Sequence, residues 1–139
     1  EALGQTPGVA AVSASTLYRS DPVDAPGPIY VNAVARLQTS LAPLPLLVQL
    51  RGIEMAFGRQ RLFRNAPRTL DLDLLLYDDL AFCTPTLTVP HPRLHQRAFV
   101  LKPLIELVGA NKQIQGESLA HWLAACTDQP CEALNAKPN

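Results

Sequence analysis

Thr69-Leu70-Asp71-Leu72-Asp73-Leu74-Leu75-Leu76-Tyr77 alternates leucine with aspartate and then runs into an apolar stretch. A period of two puts Leu70, Leu72 and Leu74 on one face and both aspartates on the other, so the stretch reads as a strand buried on at least one face. The Cα atoms of Asp71 and Asp73 would stand ~6.6 Å apart, near enough to share one hard cation or a pair of them. Two carboxylates on an otherwise apolar strand repel each other and lose hydration, and a divalent metal offsets both penalties. The other reading is an exposed sheet face with solvated aspartates, and the spacing alone leaves both open.

Arg59, Arg61, Arg64 and Arg68 precede the pair with no acidic residue among them. A polyphosphate bound with magnesium needs both signs in this order: carboxylate to metal, metal to phosphate, phosphate to guanidinium. There is no G-x-x-x-x-G-K-[ST] loop, so the phosphates would be held by side chains. Upstream, Pro43 and Pro45 suit a helix's first turn, and Leu46, Leu50, Ile53 and Phe57 recur at helical spacing up to a stop at Gly58. Arg51 and Glu54 project close together from a flank of that helix, which is also how a plain surface ion pair would look.

Farther out, Val9 to Tyr18 and Tyr30 to Thr39 each read as one strand. In the second, Val31, Ala33, Ala35 and Leu37 share a face, leaving Tyr30 and Asn32 opposite them, where they could line a pocket. Phe99 to Val108 and Ser118 to Ala125 read as short helices, and the proline clusters Pro22 to Pro28 and Pro85 to Pro92 as loops. The order strand, strand, helix, strand, then helices predicts one α+β domain with helices packed on a mainly antiparallel sheet.

The chain has 139 residues, enough for a single core. Twelve Lys+Arg balance twelve Asp+Glu, so no whole-molecule field draws in nucleic acid or a membrane. No apolar run reaches the ~20 residues of a bilayer span. Cys83, Cys126 and Cys131 have no zinc-like or CxxC spacing and read as reduced thiols of a cytoplasmic protein.

Three motifs add a resemblance. Pro67-Arg68-Thr69-Leu70-Asp71-Leu72-Asp73, preceded by Gly58-Arg59-Gln60-Arg61 and followed by Val89-Pro90-His91-Pro92-Arg93-Leu94-His95-Gln96-Arg97-Ala98-Phe99, resembles 6-hydroxymethyl-7,8-dihydropterin pyrophosphokinases from about Glu1 to Leu107. The resemblance implies a ferredoxin-like fold, two Mg2+ ions, ATP as co-substrate and a pterin alcohol as acceptor, in a monomer that needs no nucleic acid or membrane. It makes Asp71 and Asp73 the metal ligands and, with Arg59 and Arg68, the catalytic set. Glu54, Arg61, Arg68, Leu74, Thr88, His91 and Arg97 match ATP-binding positions. Ser20, Val23, Tyr30, Asn32 and Phe99 match pterin-pocket positions, where aromatics stack on the heterocycle and an amide reads its polar edge.

This sequence departs from that family at Arg51, where many members have Gln, at Asn65 and at Pro92, and its arginine loop is one residue short against some relatives. Glu1-Ala2-Leu3-Gly4 matches only the end of the family's first helix, so the expectation is an N-terminally truncated form of low stability. Two other readings compete: a ferredoxin-like module whose arginine loop and aromatics bind RNA or nucleotide, and a metal-dependent phosphohydrolase using the same carboxylates on water.

Overall fold

The structure is a computed structural model that describes residues 2–20, 30–58 and 71–134. The order is β1 (Val9–Ala14), β2 (Tyr18–Ser20), β3 (Tyr30–Asn32), β4 (Ala35–Thr39), α1 (Pro43–Gly58), β5 (Phe82–Cys83) and β6 (Thr88–Val89). A 3-10 turn (Leu94–Gln96), α2 (Ala98–Val108), β7 (Gln113–Ile114), β8 (Glu117–Ser118), α3 (Leu119–Ala124) and β9 (Cys131–Ala133) complete it. The chain is thus α+β: β1 pairs with β4, β2 lies between β3 and β9, and β5 with β6 and β7 with β8 form short hairpins. Every pairing with a defined register is antiparallel. The residues fall into two compact units, Glu1–Val12 with Leu37–His91 and Ser13–Arg36 with Pro92–Asn139.

Both long strands expected from sequence are broken, and Ser15 is the reason. Its N–H donates to the Val34 carbonyl at 2.8 Å, while its hydroxyl accepts from Val34 N–H at 3.0 Å and donates to the Thr16 carbonyl. A side chain has replaced a backbone partner there, which interrupts the ladder in both strands at once and separates β1 from β2 and β3 from β4.

In the first unit, α1 buries Leu46, Leu47 and Leu50, and Leu47 packs with Leu87 and Val89, against which Leu74, Tyr77 and Phe82 lie. The opposite side of α1 is apolar as well: Leu44, Val48 and Met55 remain 45%, 67% and 61% exposed. Gly8, at φ +89°, allows a close approach, since a Cβ there would meet Leu41 Cγ at 2.6 Å. Its carbonyl accepts from Ser40 N–H at 2.9 Å and Thr39 Oγ1 at 2.7 Å, which ties the chain ahead of β1 to the end of β4.

One element differs in kind from expectation. Residues 71–74 alternate in exposure as a strand would, with Asp71 and Asp73 exposed and Leu72 and Leu74 half-buried, while 75–77 are all half-buried, and 71–77 join no ladder among the described residues. Bonds of other kinds hold them: His91 N–H to the Leu75 carbonyl at 2.8 Å, Leu80 N–H to the Tyr77 carbonyl at 3.0 Å, and two side chains of α1 on Leu72. Period-two patterning reports which faces are wet and which are dry; it does not report a neighbouring strand.

In the second unit, α2, α3 and the 3-10 turn pack on one another, burying Leu94, Leu101 and Leu119 almost completely, with Ile114 and Cys126 also inside. The first turn of α2 has N–H groups with no partner inside the helix. Gln129 supplies one from thirty-one residues away: its Oε1 accepts from Ala98 N–H at 2.8 Å and its Nε2 donates to the Gln96 carbonyl at 2.9 Å. Lys102 Nζ donates to the Cys131 carbonyl, fastening α2 to β9. Ser118 caps α3, its hydroxyl accepting from His121 N–H at 3.1 Å.

Glu106 joins α2 to the start of β2. One carboxylate oxygen accepts from Thr16 N–H at 2.8 Å and the other from the Tyr18 hydroxyl. The Thr16 and Tyr18 bonds lower the Glu106 pKa, whereas burial and the Glu106 partner push the Tyr18 phenol up to about 12. A depressed carboxylate contributes stability above its unfolded pKa and loses it as pH falls through the folded value. A raised phenol contributes fully below its unfolded value near 10 and loses it as pH rises toward 12. Tyr18→Phe is therefore expected to flatten the alkaline limb of melting temperature against pH between about 10 and 12, with the acid limb also reduced. An alkaline limb identical to the parent's would rule this out.

Candidate active site

The aspartate pair lies in the first unit. Asp71 and Asp73 are exposed and Leu72 between them is half-buried, the alternation that extended backbone produces. Leu72 is gripped by α1: Glu54 Oε2 accepts from its N–H at 2.5 Å, and Arg51 Nη1 donates to its carbonyl at 2.6 Å. Arg51 Nη1 and Glu54 Oε1 are 3.0 Å apart, an ion pair across one helical turn. The expected surface pair therefore exists, and it also has a target on the aspartate segment. The i, i+3 spacing reveals the pair; nothing in the sequence names Leu72 as what it holds.

Two exposed oxygen donors on one side suit Mg2+, which usually takes one or two carboxylates, keeps several waters and accepts substrate phosphate oxygens. Among the described residues no group of three or more His, Cys, Asp and Glu side chains is arranged for a metal. A two-carboxylate site completed by nucleotide phosphates matches that chemistry better than a closed protein cage.

Other nucleotide-side positions surround this segment within the same unit. Leu74 packs on the Leu47, Leu87 and Val89 cluster. Thr88 pairs with Cys83 across the β5–β6 hairpin, and its hydroxyl donates to Cys83 Sγ at 3.4 Å. His91 is joined to the aspartate segment through its backbone bond to Leu75, so the fold brings Asp71, Asp73, Glu54, Leu74, Thr88 and His91 into one unit.

The pterin-side positions belong to the second unit. Ser20 pairs with Tyr30 and Tyr18 with Asn32 in the β3-β2-β9 sheet. Phe99 stands in the first turn of α2, where the Arg97 guanidinium lies 5.7 Å from its ring centroid. That cation–π contact couples a residue matched to the nucleotide with one matched to the pterin. Val23, Arg59, Arg61 and Arg68 lie outside the described residues, as do Arg64, Asn65 and the first proline cluster.

A family model described as 7,8-dihydro-6-hydroxymethylpterin-pyrophosphokinase matches residues 1–109. The chain is 44% identical over 135 residues to a 2-amino-4-hydroxy-6-hydroxymethyldihydropteridine pyrophosphokinase from Pseudomonas aeruginosa, covering 96% of this chain and 83% of that one. It is 44% identical over 119 residues to the protein of the same name from Haemophilus influenzae, covering 82% and 74%. The one from Bacillus subtilis is 38% identical over 128 residues, covering 91% and 72%. With a match across most of its length and relatives of this similarity, the chain belongs to the 7,8-dihydro-6-hydroxymethylpterin-pyrophosphokinase family.

Proposed function

We propose that this chain transfers pyrophosphate from ATP to 6-hydroxymethyl-7,8-dihydropterin, giving AMP and the pterin diphosphate in folate biosynthesis. The observation that carries the reading is the family match over residues 1–109, a span that includes the aspartate pair and all three motifs. In the reaction the pterin hydroxymethyl oxygen bonds to the β-phosphorus, the bond between that phosphorus and the α–β bridging oxygen breaks, and the oxygen leaves with AMP. The hydroxyl proton is released. Such a transfer needs in-line positioning and neutralised charge, with no covalent nucleophile from the protein.

Asp71 and Asp73 would hold two Mg2+ ions, which when bound draw charge from the β- and γ-phosphates. Arg59, Arg61 and Arg68 would neutralise the phosphate oxygens, as planar bidentate donors do well. Leu74, Thr88, His91 and Arg97, with Glu54 beside them, border the nucleotide. Ser20, Val23, Tyr30, Asn32 and Phe99 border the pterin. The same reading treats residues 1–139 as a single ferredoxin-like pyrophosphokinase domain, acting as a cytoplasmic monomer on small molecules, without nucleic acid or membrane. In its support, no helix among the described residues is long and apolar enough to cross a membrane.

The test is AMP formation from ATP, magnesium and the pterin alcohol, with the acceptor omitted in a parallel reaction. Acceptor-dependent AMP supports the transfer, and AMP without acceptor would mark a phosphohydrolase. Arg59→Ala and Arg68→Ala are each expected to lower the rate by roughly 10²–10³, the usual cost of removing one preorganised donor to a transition-state charge. An unchanged rate in either variant would remove that arginine from the mechanism.

A further inference from the structure

Two side chains from one turn of α1 converge on a single residue of the aspartate segment. Glu54 accepts from the Leu72 N–H at 2.5 Å and Arg51 donates to the Leu72 carbonyl at 2.6 Å. An extended residue in an antiparallel pair meets its partner through both groups, one N–H and one carbonyl, on the same edge. Here a carboxylate and a guanidinium stand where the partner's carbonyl and N–H would be. The 3.0 Å ion pair between them holds the fork together.

Fixing both polar groups of Leu72 also fixes the rotation of the backbone about its own axis. The side chains on either side must then leave perpendicular to that edge and on one face. We infer that Arg51 and Glu54 are positioning residues, which aim the Asp71 and Asp73 carboxylates at a divalent cation. The inference rests on the metal–nucleotide reading given above. It changes what Glu54 does: with one oxygen on Leu72 and the other on Arg51, its carboxylate serves the nucleotide through the aspartates and not by touch. It also gives Arg51, which donates to the Leu72 carbonyl, a defined task.

The experiment measures binding of Mn2+ with α,β-methylene-ATP to the full chain by calorimetry; the bridging carbon blocks cleavage at the bond the reaction breaks. Glu54→Ala is expected to weaken binding by about 10- to 100-fold, the usual cost of losing a group that orients a metal ligand. In an Asp73→Asn background the same change should cost clearly less than in the parent, because one of the two carboxylates it orients is gone. Glu54→Gln, which keeps an acceptor for the Leu72 N–H, should recover most of the loss.

Equal losses in both backgrounds would overturn the inference, since a direct nucleotide contact adds independently, and so would no loss at all. A parent chain that binds no Mn2+–nucleotide overturns the functional reading together with the inference; failure of the inference alone requires a parent that binds. Hydrogen exchange keeps misfolding apart from mispositioning. The Leu72 amide should be protected in the parent and in Asp73→Asn and lose protection in Glu54→Ala while α1 amides stay protected. Unchanged Leu72 exchange in Glu54→Ala would sink the inference.

Discussion

Asp71→Ala and Asp73→Ala are each expected to cut acceptor-dependent AMP formation by at least about 10³-fold while leaving the melting temperature within about 2 °C of the parent. The two halves of that result follow from the same geometry. Both side chains are exposed, so neither contributes to the core formed by Leu47, Leu87 and Val89. On the proposed reading both would face the cation that meets the phosphates, and removing one would leave a single carboxylate to neutralise the charge. Asp→Asn at either position should lose nearly as much activity, because the amide keeps the shape and drops the charge. Retention of more than a tenth of parental turnover in either alanine variant would show that the pair is a solvated face and would return the charge pattern to its bland reading.

A chain ending at Gly109 is expected to lose the second unit's fold, although it keeps every residue of the family match. Such a cut removes Ile114, Leu119, Cys126 and Cys131, all buried, and uncovers Leu94 and Leu101. It also removes β9, one of the two neighbours of β2, and the Gln129 amide that caps α2. Each large buried apolar side chain contributes on the order of 1.5–3 kcal/mol, against a total stability of roughly 5–15 kcal/mol for an ordinary domain. The expected outcome is a fall of more than about 10 °C in the circular-dichroism melting midpoint, or loss of a cooperative transition, with pterin binding lost as well. A shortened chain melting within about 3 °C of the parent would show that the family-matched span stands alone.

The helices were legible because their signals are local. Prolines at the first turn, apolar residues at helical spacing and a terminal glycine located α1 as Pro43–Gly58, and α2 and α3 fall within a residue of the expected Phe99–Val108 and Ser118–Ala125. The strands were less legible because pairing is a property of two segments. Ser15 has nothing in its neighbourhood to announce that its hydroxyl will replace a ladder bond to Val34. Likewise, the pattern of residues 71–77 correctly separates aspartates from leucines, while the partner of Leu72 proves to be a pair of side chains. The short hairpins and β9 consist of two or three residues each, too few for any periodicity to register. At the candidate site the exposure of Asp71 and Asp73 follows the alternation read from the sequence, and the Arg51–Glu54 grip on Leu72 has no local signal.

The apolar outer side of α1 has a consequence for the chain in bulk solution. Leu44, Val48 and Met55 form a stripe open to water on a molecule whose acidic and basic groups balance, with an isoelectric point near 7.1. Long-range repulsion between copies is then weakest close to neutrality, the pH at which a folate enzyme would ordinarily be handled, and nothing offsets the short-range attraction of that stripe. Solubility is therefore expected to be lowest near neutrality and to rise in a buffer a unit or two away, without a residue being changed.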